Sequence, residues 1–417
     1  MRLNDFQHAR QEEFSAFARF EVAPFAADWD RDERIPDSVI EKLARSGYLG
    51  CVIPDEFGGP GWDLVTFGLL NEALGRFCPS LTDVLTVQTM VSAALLKWGS
   101  AEQKCTWLRP LAEGRITASF ALTEPSAGSA IQSISANLAS GSNGFVLNGT
   151  KKWISWAQFA DVFLVFAKLG ERSVACLVPR DSAGLSIEPI RNLMGFRAAG
   201  LAELHFENVG IPAANIVGKP GFAFSHVAQH GLHFARLSTA CSALGLLRGC
   251  FEESASYAAS RRIDGAAAGD LGMIRTLIAR MGTDLSAAHA LCHEACRSAE
   301  ERLPQAIEAV LVAKYFASRA AVRAASDAVQ IHGAAGCHGS AAVSRYYRDA
   351  KILEIIEGTT QVHEDILGRI FVDRAAACPR PTQPDADEHD RPTAGTRSAS
   401  RLRDDRSLQP DGSAVSG

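Results

Sequence analysis

RYYRDAKILEIIEGTTQVHEDI, residues 345–366, decides how the rest of this chain is read. An apolar run, Ile352, Leu353, Ile355 and Ile356, ends on the carboxylate Glu357, and Gly358 follows at once. Burial beside apolar groups raises a carboxyl pKa towards the range of a useful base. Gly358 lets the backbone turn, or approach a ligand closely. Thr359 or Thr360 can cap a new helix, with Glu364 and Asp365 in its first turn. On these residues alone, a helix, a break and a second helix with an exposed Glu357 is the favoured reading.

The totals narrow the field. A chain of 417 residues holds two or three domains with length for a large core. Its 47% hydrophobic and 21% charged residues are those of an ordinary globular protein. A formal net charge of −5 gives no reason to expect nucleic acid or a membrane surface as a partner. The ten cysteines are scattered and form no CxxC, so neither a metal site nor a disulfide framework is expected, in keeping with a reducing cytoplasm. The N-terminal stretch carries acids, unlike a secretory signal, and no apolar run approaches the roughly 20 residues that span a bilayer.

Working outward, the texture divides the chain. Residues 1–118 read as helices, among them Pro36 to Ser46 with Asp37 or Ser38 as cap, Leu64 to Phe77, Asp83 to Trp98 and Ser100 to Gly114. Residues 119–220 read as short strands of a small barrel or sandwich. Asn148-Gly149 predicts a hairpin turn, because both of its positions accept positive φ. Asp181 to Gly184 and Asn208-Val209-Gly210 read as further turns. Residues 221–372 return to helices of nearly 30 residues with short breaks, the pattern of a four-helix bundle. The stretch 373–417, rich in Pro, Asp, Arg and Ser, has too little apolar surface to order itself and is expected to be disordered.

Four more segments carry chemistry. Phe120 to Ser129 (FALTEPSAGS) offers amides and hydroxyls to anionic oxygens. Lys152-Trp153-Ile154-Ser155 places an indole beside a hydroxyl. Tyr257 to Arg261 (YAASR) ends on a guanidinium suited to a diphosphate. Gln330 to Gly336 (QIHGAAG) is a glycine-bearing turn.

The pattern RDAKxxxIxEGTxQ around Glu357 resembles the catalytic-base signature of the acyl-CoA dehydrogenase family. The order of helices, β-domain and helices is also that family's α+β fold. The resemblance implies that Glu357 removes the α-proton of an acyl thioester while the β-hydrogen leaves as hydride to FAD. It implies that Leu122 and Thr123 meet the flavin's pyrimidine edge, that Trp153 packs beside the ring and that Ser155 lies near N5. Ser129 would lie near the FAD pyrophosphate or the thioester arm. Arg261, Gln330 and Gly333 would reach the FAD of a neighbouring subunit, and Thr359 and Gln361 its adenosine portion. Arg236 and Gly358 would face substrate, and the Glu357 amide would help to polarise the thioester carbonyl. The implied partners are an acyl-CoA or an acyl-carrier protein, electron-transfer flavoprotein or another acceptor, and a second copy in a homodimer or homotetramer. Ala130, Ala334 and His233 stand where the family usually has Asp, Gly and an acid. The wording around Gly231 to Gly245 and Glu354 to Gln361 is similar to members that act on carrier-protein substrates in polyketide and nonribosomal pathways and help make extender units. There, oxidation of a hydroxyacyl or semialdehyde group is the alternative reaction.

Overall fold

The computed structural model describes residues 3–141 and 144–377. Contacts divide the chain at Phe371/Val372, and the fold and the candidate site belong to the first unit, Met1–Phe371. Six helices open it: α1 (Asp5–Phe17), α2 (Ala26–Asp32), α3 (Asp37–Arg45), α4 (Leu64–Gly75), α5 (Pro79–Trp98) and α6 (Ala101–Ala112). Eight strands come next: β1 (Ala118–Ala121), β2 (Asn137–Gly141), β3 (Gly144–Ile154), β4 (Val162–Leu169), β5 (Arg172–Pro179), β6 (Leu185–Pro189), β7 (Ala202–Ile211) and β8 (Ile216–Val217). The long helix α7 (Gln229–Ser260) leads through a small hairpin, β9 (Arg262–Ile263) and β10 (Ala266–Ala267), to α8 (Gly272–Glu300), α9 (Ala306–His332), α10 (Ala342–Ile355) and α11 (Thr360–Ala377).

α5 is the central helix. Every residue from Pro79 to Leu95 is buried, including Thr82, Asp83, Thr86, Gln88, Thr89 and Ser92. Pro79 sits in its first turn, where the missing N–H costs nothing, so the helix starts four residues before the expected Asp83. α4 and α7 cross almost backbone to backbone: a Cβ on Gly245 would lie 2.1 Å from the Glu72 carbonyl, and one on Gly75 2.6 Å from that of Ser242. Hydroxyls close the seam between α5 and α7, Thr82 with Ser242 at 2.7 Å and Thr86 with Ser238 at 2.6 Å.

The strands form one mixed sheet in the order β6-β7-β3-β2-β4-β5-β8, with β1 parallel to β4. Two expected turns lie inside strands instead. Asn148-Gly149 falls within β3, and Asn208-Val209-Gly210 within β7. Leu147 pairs with Val209 and Gly149 with Phe206, so Asn148 faces two residues of β7: a β-bulge. Asn208 takes the left-handed φ of 56° there, and its amide donates to the Asn148 side chain at 2.8 Å. The two asparagines answer each other across the sheet instead of turning the chain. β2 and β3 pair antiparallel, with Gly141 opposite Gly144, and β2 is a strand the sequence did not mark.

α3 begins after Pro36 with no side-chain cap from Asp37 or Ser38, and Gly47 at φ 73° follows its end. Residues 373–377 continue α11 as helix; the remainder of the expected disordered tail, 378–417, lies outside the described residues. No helix among the described residues is long and apolar enough to cross a membrane.

Candidate active site

α10 ends at Ile355 and α11 begins at Thr360, so the link between them is short. Glu357 and Gly358 take positive φ, 58° and 99°. The first is unusual for a residue with a Cβ and marks a position that its surroundings hold. Thr359 caps α11, its hydroxyl accepting from Val362 N–H at 3.4 Å.

Two cations secure this link, and both do so through its carbonyls. Lys314 on α9, fully buried, donates from Nζ to Gly358 O at 2.7 Å and to Glu354 O at 3.4 Å. Arg236 on α7 donates from Nε to Glu357 O at 3.3 Å. All three hydrogen bonds thus go to backbone oxygens rather than to the Glu357 carboxyl, whose pKa is pushed up to about 7. Burial is the main cause and the Asp83 carboxylate adds to it, while Arg236 and Lys314 oppose it. Burial also lowers Lys314 to about 7 and shifts Arg236 downward, in each case against the pull of Glu357.

Asp83 connects this link to the β-domain. It is 4% exposed on α5, and its carboxyl hydrogen-bonds with Ser155, just past the end of β3. Burial raises it to about 6. Two residues before Ser155, Trp153 is 50% exposed at a left-handed φ of 62°, with Lys152 Nζ 5.5 Å from its ring centroid. Glu357, Gly358, Arg236, Ser155 and Trp153 are therefore parts of one region.

The segment after β1 is fixed from within. Leu122 O accepts from Lys151 Nζ at 2.9 Å, and Thr123 O from Lys152 N–H at 2.9 Å. Lys151 also pairs with Glu124 at 2.8 Å, both side chains buried, and Glu124 accepts from Ser135 and Ala136 N–H at 2.6 and 2.9 Å. Both carbonyls at Leu122 and Thr123 are thus used inside the protein. Facing outward are the half-buried Thr123, then exposed Ser126 and Ser129, with open space around Gly128.

Arg261, Gln330 and Gly333 are exposed at a different place, where the ends of α7 and α9 meet and Tyr257 stacks on His332 with ring centroids 4.2 Å apart. Thr359 is half-buried in the α10–α11 link, and Gln361 is exposed in the first turn of α11. The sequence reading missed Asp83, Lys314 and the Lys151–Glu124 pair. The signal for the first two was present: each is a charged residue in an otherwise uncharged helical stretch, PSLTDVLTV and AVLVAKYFAS. Elsewhere, Glu72, His289 and His293 offer ligand atoms within 4.8 Å of one another. Arg248 already holds Glu72 Oε1 from two nitrogens, at 3.0 and 2.7 Å, so that carboxylate has its cation.

A half-exposed indole beside a hydroxyl, next to a glycine-serine turn with room around it, fits a planar ring system that bears phosphates. Comparison with known proteins agrees. Family models for the acyl-CoA dehydrogenase N-terminal, middle and C-terminal domains match residues 4–115, 119–209 and 225–371. A probable acyl-CoA dehydrogenase of Bacillus subtilis, YngJ, is 33% identical over 360 residues, 85% of this chain and 94% of its own. Among solved structures, butyryl-CoA dehydrogenase from Megasphaera elsdenii superposes with a TM-score of 0.86 at 27% identity, covering 89% of this chain and 99% of that one. FkbI, for biosynthesis of a methoxymalonyl extender unit, superposes with a TM-score of 0.80 at 28% identity, covering 89% and 100%.

The chain belongs to the acyl-CoA dehydrogenase family. The family consists of FAD-dependent oxidoreductases that act on CH–CH groups of acyl-CoA thioesters, and FAD is the cofactor.

Proposed function

We propose that this protein dehydrogenates an acyl thioester, with Glu357 as the base. The observation that carries the reading is the Glu357 carboxyl, raised to about 7, on a link whose backbone two cations hold. A base in that range is largely ionised just above neutrality and still basic enough to take a weakly acidic α-proton. The Glu357 carboxylate takes that proton, the Glu357 amide polarises the thioester carbonyl as the enolate develops, and a Cα=Cβ bond forms. FAD, when bound, accepts the β-hydrogen as hydride. Trp153 would cover a face of its ring, Ser155 would hydrogen-bond near it, and Thr123 and Ser129 would bind its polar edge and phosphates. Arg236 and Gly358 line the path of the thioester arm.

The exposed Arg261, Gln330 and Gly333 support a homodimer or homotetramer in which this patch meets the partner's FAD, joined by Thr359 and Gln361. Electron-transfer flavoprotein is the proposed electron acceptor. The nine described cysteines are all free, which supports a reducing cytoplasm. The likeness to FkbI supports a second reading, in which the thioester is borne by a carrier protein and a hydroxyacyl or semialdehyde group is oxidised in extender-unit biosynthesis.

Anaerobic bleaching of the flavin's visible band separates these readings. Acyl-CoAs and carrier proteins loaded with acyl or glyceryl groups are offered to the wild type and to Glu357→Gln. Bleaching by an acyl-CoA that vanishes in the variant establishes α,β-dehydrogenation. Bleaching by carrier-bound substrates alone moves the protein to the second reading. No bleaching with FAD bound rejects both.

A further inference from the structure

From the surroundings of Asp83 we infer that this site selects an acyl group bearing an O–H or N–H donor close to the reacting carbons, and that Asp83 is the residue that reads it. The inference rests on the acyl-thioester reading and deepens it.

Asp83, 4% exposed, differs from four other buried polar side chains of α5. Thr82 bonds to Pro79 O and Ser242, Thr86 to Thr82 O and Ser238, Gln88 to Leu111 O and Ala118 N–H, and Ser92 to Gln88 O. These bonds close within the fold. Asp83 has instead the Ser155 hydroxyl, and a carboxylate has about four acceptor positions to fill. No cation contributes to its electrostatics, although both Arg236 and Lys314 act on its neighbour Glu357.

A buried carboxylate without a cation and with acceptor capacity to spare is costly, and it persists where something else completes it. Ser155 and Glu357, the two groups that Asp83 faces, are each partly open. The missing partner can therefore come from a ligand lying between the base and the flavin-side hydroxyl. An alkyl chain supplies nothing to this carboxylate. A hydroxyl or amine on the acyl group would donate to it directly. The Asp83 carboxylate also acts on Glu357, so a donor bound at Asp83 is sensed at the base.

The test compares ratios of kcat/KM for anaerobic flavin reduction. Butyryl, 4-hydroxybutyryl and 4-aminobutyryl thioesters are offered, each on CoA and on a pantetheine-bearing carrier protein. The proteins are the FAD-loaded wild type, Asp83→Asn and Asp83→Leu. The wild type is expected to prefer a donor-bearing thioester to butyryl by on the order of 10-fold or more, since a polar site discriminates strongly against a ligand that leaves it unpaired. Asp83→Leu inverts that preference. Asp83→Asn keeps it for a hydroxyl but loses it for an ammonium, which tells the two donors apart. A loss of fold or flavin would scale all rates by one factor, so the ratio read from the FAD-loaded protein reports Asp83 alone. Preference of the wild type for butyryl, or an unchanged ratio in Asp83→Leu, overturns the inference while the dehydrogenase reading stands. Failure of every thioester to reduce the flavin overturns both.

Discussion

Replacing Lys314 by Met separates what a buried ammonium does for the catalytic link from what its burial costs. Lys314 is fully buried, and its pKa falls from 10.5 to about 7. The unfolded chain therefore holds more protons than the folded one between these values, and wild-type stability rises with pH across that window. At about 1.36 kcal/mol per pK unit, the penalty on the folded state is about 4–5 kcal/mol near pH 6.5 and about 1–2 kcal/mol near pH 9.5. Met removes the penalty but leaves the carbonyls of Gly358 and Glu354 without their donor. The 2.7 Å bond to Gly358 is the stronger loss and the 3.4 Å bond to Glu354 the weaker. Together these losses cost about 2–3 kcal/mol. The variant should then be more stable than the wild type by about 2 kcal/mol near pH 6.5 and less stable by about 1 kcal/mol near pH 9.5. Urea unfolding of both proteins, saturated with FAD and followed by circular dichroism, measures this. The swing of about 3 kcal/mol does not depend on how the lost hydrogen bonds are valued. An equal difference at both pH values would refute burial as the force acting on Lys314.

Three other outcomes follow from the geometry. Flavin reduction by substrate should rise with pH through about 7, as Glu357 ionises, and Asp83→Asn should move that limb to lower pH because it removes a like charge; a limb that stays in place counts against the coupling. Gly245→Ala drives a Cβ towards the Glu72 carbonyl, 2.1 Å away, and should destabilise the crossing of α4 and α7 by about 1–3 kcal/mol in thermal unfolding. Trp153→Ala should weaken FAD binding about 2- to 12-fold by fluorescence titration, the equivalent of about 0.5–1.5 kcal/mol for one aromatic contact; unchanged affinity would remove the indole from the flavin site.

The legible parts of the site were those where sequence neighbours are also spatial neighbours. Glu357, Gly358 and Thr359 form a helix stop, a left-handed link and a new cap within consecutive residues, so their pattern appears in the chain itself. The long helices α7 to α9 were legible for the same reason, because their periodicity repeats over many turns. Asn148-Gly149 misled because its local preference for a turn was overridden by pairing with β7, which absorbs the irregularity as a bulge. Asp83 and Lys314 lie 274 and 43 residues before Glu357, and only packing brings their charges to bear on it. A charge inside an apolar stretch announces that some partner exists, but the chain does not say which.

The placement of the cations also bears on the role proposed for Glu357 as base. A guanidinium or ammonium bonded to the Glu357 carboxylate would lower its pKa by about 1–3 units and leave a weak base. Here Arg236 and Lys314 bond instead to the carbonyls of Glu354, Glu357 and Gly358. Their hydrogen bonds stabilise a left-handed backbone at Glu357 that otherwise costs about 1–2 kcal/mol, while their charge reaches the carboxylate only at a distance. Asp83 then pushes in the opposite direction, adding a like charge behind the Ser155 hydroxyl. Position and basicity are thus set by different groups. A change at Lys314 acts on both the backbone and the charge, whereas a change at Asp83 leaves the link's hydrogen bonds intact while altering the charge beside Glu357. That difference makes Asp83 the cleaner handle on how strongly Glu357 binds its proton.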